Sequence, residues 1–76
     1  MMIGLKGAQR IVFEELRAML QAGEPVSVMR LSARSMYHPY TVHTTLRDLA
    51  AWGMVKITPT RPGCRNLYAL GEEWNN

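Results

Sequence analysis

The sequence predicts an α+β fold in which three helices are followed by a C-terminal β-hairpin. Three observations carry this expectation. Leu5 to Leu20 has helical hydrophobic periodicity, Pro39 marks a helix start after a short serine-capped segment, and the pattern switches to alternation after Gly53.

Wound at about 100° per residue, the first stretch puts Leu5, Ala8, Val12, Phe13, Leu16, Met19 and Leu20 on one face. Lys6, Arg10, Glu14, Arg17 and Gln21 fall opposite, so an amphipathic helix is expected over about 6–22. Ala22-Gly23-Glu24-Pro25 closes it, because glycine suits a left-handed terminus and proline prevents continuation. Ser27 is placed to cap a short second helix over about 27–35, its hydroxyl accepting from an unpaired amide of the first turn. Met36-Tyr37-His38-Pro39 forms the next boundary, since proline is favoured at the first helical position and disfavours helical geometry in the residue before it. In the third helix, about 39–52, Val42, Leu46 and Leu49 share one face, and Tyr40, His43, Thr44, Arg47 and Ala51 share another. Gly53 ends it.

Met54-Val55-Lys56-Ile57-Thr58 then alternates, and Leu67-Tyr68-Ala69-Leu70 offers a partner strand, giving a hairpin with strands about 54–58 and 66–70. Between them Pro62-Gly63 suits the central positions of a type II turn, with Arg61 and Arg65 beside it as a basic tip. The tail is polar apart from Trp74, which either packs back on the body or lies exposed for a partner. No repeat, linker or low-complexity tract interrupts the pattern, and at 76 residues a single domain spanning 1–76 is expected.

Hydrophobic residues are 47% and charged residues 20% of the chain, a composition that folds rather than one that stays disordered. No apolar run approaches the ~20 residues that span a bilayer, and the first residues lack a basic segment followed by an apolar one. A cytoplasmic protein with no membrane contact is therefore expected. Cys64 is the single cysteine, which excludes an internal disulfide or a cysteine-based zinc site and reads as a small buried or half-exposed thiol. His38 and His43 have no carboxylate or cysteine beside them, so neither a metal nor another cofactor is expected. Nor does the chain show a glycine-rich phosphate loop after a strand, a pair of carboxylates in one cleft, or a nucleophile beside a histidine. No enzymatic activity and no catalytic residue are expected.

Net charge is only +3, but its distribution is uneven. From Arg30 to Arg65 the chain carries Arg30, Arg34, Arg47, Lys56, Arg61 and Arg65 against the lone acid Asp48, while Glu14, Glu15, Glu24, Glu72 and Glu73 lie outside that stretch. Such asymmetry points to a polyanionic partner, with a solvated surface as the plainer explanation.

The order helix, helix, tight turn, helix, hairpin resembles the winged helix-turn-helix family of DNA-binding domains, over about Leu5 to Leu70. The most specific part runs from Leu31 to Val55. Leu31-Ser32-Ala33-Arg34 is similar to the start of the first motif helix, and Thr41-Val42 to the early positions of the recognition helix. Leu46 through Val55 resembles the family's pattern of Leu, two polar residues, Leu, two residues, a bulky apolar residue, Gly, an apolar residue and Val. The chain departs from the family at Met36, where glycine is frequent, and at Ser35, where an apolar residue is common; either would alter the angle between the motif helices. Trp52, in place of a leucine, is expected in the core between helix and hairpin.

The resemblance implies sequence-specific binding of double-stranded DNA by a small prokaryotic or phage transcriptional regulator. The third helix would lie in the major groove and the wing on the backbone or in the minor groove. Arg47 then becomes the candidate for guanine O6 and N7, with a phosphate or a helix-surface partner as alternatives, and Thr44 is the candidate for a thymine methyl. His43 faces the same way and would make binding mildly pH-sensitive. His38 either caps the helix or meets a phosphate, and Tyr40 would bond a phosphate near the first-turn amides. Tyr37 would fill the core. Arg34, Lys56, Arg61 and Arg65 complete the DNA-binding set, the last two along the backbone or in a narrow minor groove. A homodimer would have to use helix one, the termini or Trp74. The alternative is a winged-helix protein-interaction module, such as a small phage protein that docks on host or replication machinery.

Overall fold

The computed structural model describes residues 7–60 and 66–71. Three helices, α1 (Gly7–Gln21), α2 (Val28–Ser35) and α3 (Pro39–Ala51), are followed by strands β1 (Val55–Thr58) and β2 (Leu67–Leu70). The strands pair antiparallel with Val55 opposite Leu70, Lys56 opposite Ala69, Ile57 opposite Tyr68 and Thr58 opposite Leu67. Among the described residues no helix is long and apolar enough to cross a membrane. Leu5, Lys6, Pro62-Gly63, Cys64 and Trp74 lie outside the described residues.

The core is assembled from the stripes that the periodicity defines. Val12, Phe13, Leu16 and Met19 of α1, Leu31 of α2 and Val42, Leu46 and Leu49 of α3 are buried together with Met54 and Val55. Ala8 and Leu20 are half-buried, and Tyr37 packs partly buried against the cluster, where an aromatic core residue was expected. Each fully buried valine, leucine, phenylalanine or methionine of the cluster contributes about 1.5–3 kcal/mol when removed from water.

Each helix end has its own local cause. At the end of α1, Gly23 takes φ 71°, its N–H donates to Leu20 O and the Glu24 N–H donates to Met19 O. Gly53 repeats this after α3 with φ 76°, donating to Ala50 O while Met54 N–H donates to Leu49 O. Both are Schellman turns, which satisfy carbonyls that the helix itself leaves unpaired. The second turn also decides the fate of Trp52, where the structure corrects the sequence. The reversal at Gly53 directs the chain so that Met54 and Val55 join the buried cluster, at 5% and 3% exposure, while Trp52 stays 54% exposed.

Between α2 and α3 the chain turns on Met36. Its φ of 67° is left-handed, and its N–H donates to Ser32 O to close the helix. This is the conformation for which glycine is the favoured residue, and methionine adopts it here as a residue 88% exposed. Side-chain bonds fix the turn on both sides: Ser32 Oγ donates to the Tyr37 carbonyl, and Tyr37 N–H donates to Ser35 Oγ at 3.3 Å. Ser35 thus serves as a turn acceptor.

Hairpin and helices meet at a backbone contact. Gly71 N–H donates to Met54 O at 2.8 Å, and a Cβ at Gly71 would stand 1.9 Å from Gly53 O. Only glycine allows that approach.

Candidate nucleic-acid interface

The face of α3 opposite its buried residues is continuous and largely polar. Val42, Thr45, Leu46 and Leu49 face the core, whereas Tyr40, His43, Arg47, Asp48 and Ala51 are exposed and Thr44 is half-buried. Thr44, Arg47, Asp48 and Ala51 line a shallow open depression on this face. Neither Arg47 nor Asp48 has a side-chain partner among the described residues.

The start of α3 is fixed by His38. Its Nδ1 accepts from Tyr40 N–H at 3.0 Å while Pro39 occupies the first helical position. Of the two roles open to His38, capping is the one the geometry displays. Tyr40 itself is 71% exposed, two residues beyond the cap. Thr44 Oγ1 donates to Thr41 O at 3.0 Å, so its hydroxyl hydrogen is engaged within the helix. Its methyl group and hydroxyl lone pairs are what remain for an outside contact.

β1 carries one further exposed cation. The period of two puts Val55 and Ile57 on the buried side of the hairpin and Lys56 on the exposed side, opposite the small Ala69. Lys56 has no acidic partner among the described residues. Arg61 and Arg65, at the expected basic tip, lie outside the described residues.

Arg34 differs from the rest of the predicted set. Its Nε donates to Glu15 Oε2 at 2.8 Å and its Nη1 to Glu24 Oε1 at 3.0 Å, and Arg30 Nη2 lies 3.6 Å from Glu24 Oε2. The hydrogen bond to Glu15 is the main reason that the Arg34 guanidinium is held more firmly protonated than an ordinary arginine. Desolvation opposes it, and the charge of Glu15 and the bond to Glu24 reinforce it. Two of the six basic residues between Arg30 and Arg65 are therefore matched by acids from outside that stretch. The α1–α2 seam is an ionic network, and the cations left without one are Arg47 and Lys56 among the described residues. No local spacing announces the Arg34–Glu15 pair, whose members are 19 residues apart.

Among the described residues no group of three or more His, Cys, Asp and Glu side chains is placed to hold a metal. No protein-family model matches the chain, and no curated protein matches it in sequence. A crystal structure at 1.70 Å of a protein from Ralstonia eutropha JMP134, named there a "putative DNA-binding protein", is similar in three dimensions. Its TM-score is 0.73 at 24% identity, over 95% of this chain and 90% of that one. At that identity the likeness is one of fold: three helices and an antiparallel hairpin in the winged helix-turn-helix arrangement.

Proposed function

We propose that this chain binds double-stranded DNA in a sequence-specific manner and acts as a transcriptional regulator. In this reading α3 enters the major groove and the hairpin lies on the backbone or in the minor groove. The observation that carries it is the unpartnered polar face of α3, with Arg47 and Lys56 free of acidic neighbours among the described residues. The major groove admits a helix and presents a distinct pattern for each base pair, which is what an exposed helix face can read. The Ralstonia protein of the same fold, named for DNA binding, supports the same direction. Arg47 is the residue assigned to base edges, with Thr44 and His43 beside it, while Lys56, Tyr40 and the outlying Arg61 and Arg65 are assigned to phosphates. The reading is of a binder rather than a catalyst.

A fluorescence-anisotropy titration against random-sequence duplex DNA over a salt series tests it. The expected result is an affinity that falls linearly in log salt, with a slope equal to several released counterions. No binding at low salt would overturn it. One observation favours a second reading, a protein-interaction module or a homodimer: Trp52 and Leu67 are large apolar residues left 54% and 62% exposed. Failure of DNA binding together with a concentration-dependent mass in solution would favour that reading.

A further inference from the structure

The exposed face of α3 carries an acid in an unfavourable place. Asp48 lies in the last turn of a helix that ends at Ala51 and has no basic residue in that turn. The C-terminal end of a helix carries the negative pole of its macrodipole, so a carboxylate there weakens the helix. It also stands beside Arg47 and Thr44 in the depression on α3, where it repels a polyanion. Its side chain has no hydrogen-bond or ion-pair partner among the described residues that would offset either effect.

We infer that Asp48 is a specificity-determining residue, whose carboxylate accepts a hydrogen bond from the N4 amino group of cytosine while Arg47 donates to guanine. The inference rests on the proposed placement of α3 in the major groove. A G·C pair presents there two acceptors on guanine and one amino donor on cytosine, which matches an arginine next to an aspartate. An A·T pair presents adenine's amino donor next to N7, an acceptor that a carboxylate cannot satisfy. Residues 47 and 48 edge the same depression, so both side chains serve one groove. The repulsion between Asp48 and phosphates also lowers affinity for duplexes that offer no cytosine donor, which turns the unfavourable charge into discrimination.

The test compares an alternating guanine–cytosine duplex with an alternating adenine–thymine duplex of equal length, at fixed low salt, for the wild type, Asp48→Ala and Asp48→Asn. The wild type is expected to prefer the guanine–cytosine duplex by about tenfold. Asp48→Ala tightens binding to the adenine–thymine duplex and removes most of that preference. Asp48→Asn shifts it further, because an amide pairs with adenine N6 and N7. Both variants should melt no lower than the wild type, since the residue is exposed and opposes its own helix dipole. A wild type that binds both duplexes equally overturns the inference and leaves DNA binding standing. So does Asp48→Ala tightening on both duplexes by the same factor, which would reduce Asp48 to a repulsive charge. A wild type that binds neither duplex overturns the inference and the proposed function together.

Discussion

Arg34 and Arg47 are thirteen positions apart in a fold this small, and their surroundings are opposite. Arg34 of α2 bridges Glu15 and Glu24, two carboxylates from before and after the end of α1, whereas Arg47 of α3 has no acidic partner among the described residues. The first arginine ties helices together. The second is tied to no carboxylate among the described residues. A charge count along the chain treats the two alike, because the carboxylates that neutralise α2 arrive through the packing of α1 and not through local spacing. What a charge count misses is which cations remain after the fold has paired its own charges.

The strongest loss should come from uncoupling the hairpin from the end of α3. Gly71→Ala places a methyl group against the Gly53 carbonyl, and relief requires the hairpin, with Lys56, to move away from the end of α3. The expected loss is about 2 kcal/mol, read as a fall in melting temperature of roughly 10 °C. An unchanged melting temperature would show that hairpin and helix are not joined through this backbone contact. The α1–α2 ionic seam lies away from it and should survive.

A smaller effect of opposite sign is expected at the junction of the two regions. Met36→Gly removes a Cβ from a left-handed residue and should raise stability by about 0.5–1 kcal/mol, the relief of strain exceeding the entropy lost by glycine. Thermal melting measures it. A fall would mean that the Met36 side chain holds the motif helices together despite its exposure.

The smallest effect is confined to the hairpin. Burial raises the Tyr68 phenol above its ordinary value, and a side-chain hydrogen bond with Asn66 opposes the shift more weakly. A folded pKa raised above the unfolded one means that the protonated phenol is favoured by folding. That contribution is complete below the ordinary tyrosine value of about 10 and is lost as pH rises through the higher folded value. Denaturant unfolding at alkaline pH should accordingly show a shallower decline for Tyr68→Phe than for the wild type. Equal declines would show that Tyr68 titrates as it does in the unfolded chain.

These differences also mark how far the sequence speaks. The helices and strands lie within about two residues of where periodicity and punctuation place them, since Gly23, Ser27, Pro39 and Gly53 act on their own neighbours. The exposed face of α3 was legible for the same reason, as the complement of Val42, Leu46 and Leu49. Met36 was visible as a departure, and its left-handed φ shows what the turn demands there. Three features were not legible, and each depends on residues meeting in space. Arg34 meets Glu15 across two helices, and Gly71 meets Gly53 across the hairpin. Trp52, expected in the core for its size and helical position, is displaced from it by a turn that gives the buried place to Met54.

In the proposed function the fold uses Arg34 for itself and leaves Arg47 for DNA. Parallel salt-series titrations of Arg34→Ala and Arg47→Ala against random-sequence duplex DNA test it most directly. Arg47→Ala should weaken binding by about 1–3 kcal/mol with an unchanged melting temperature. Arg34→Ala should bind like the wild type and melt slightly lower, by a margin that shrinks with added salt. Equal losses of affinity, or a loss confined to Arg34→Ala, would overturn the assignment of Arg47 to DNA.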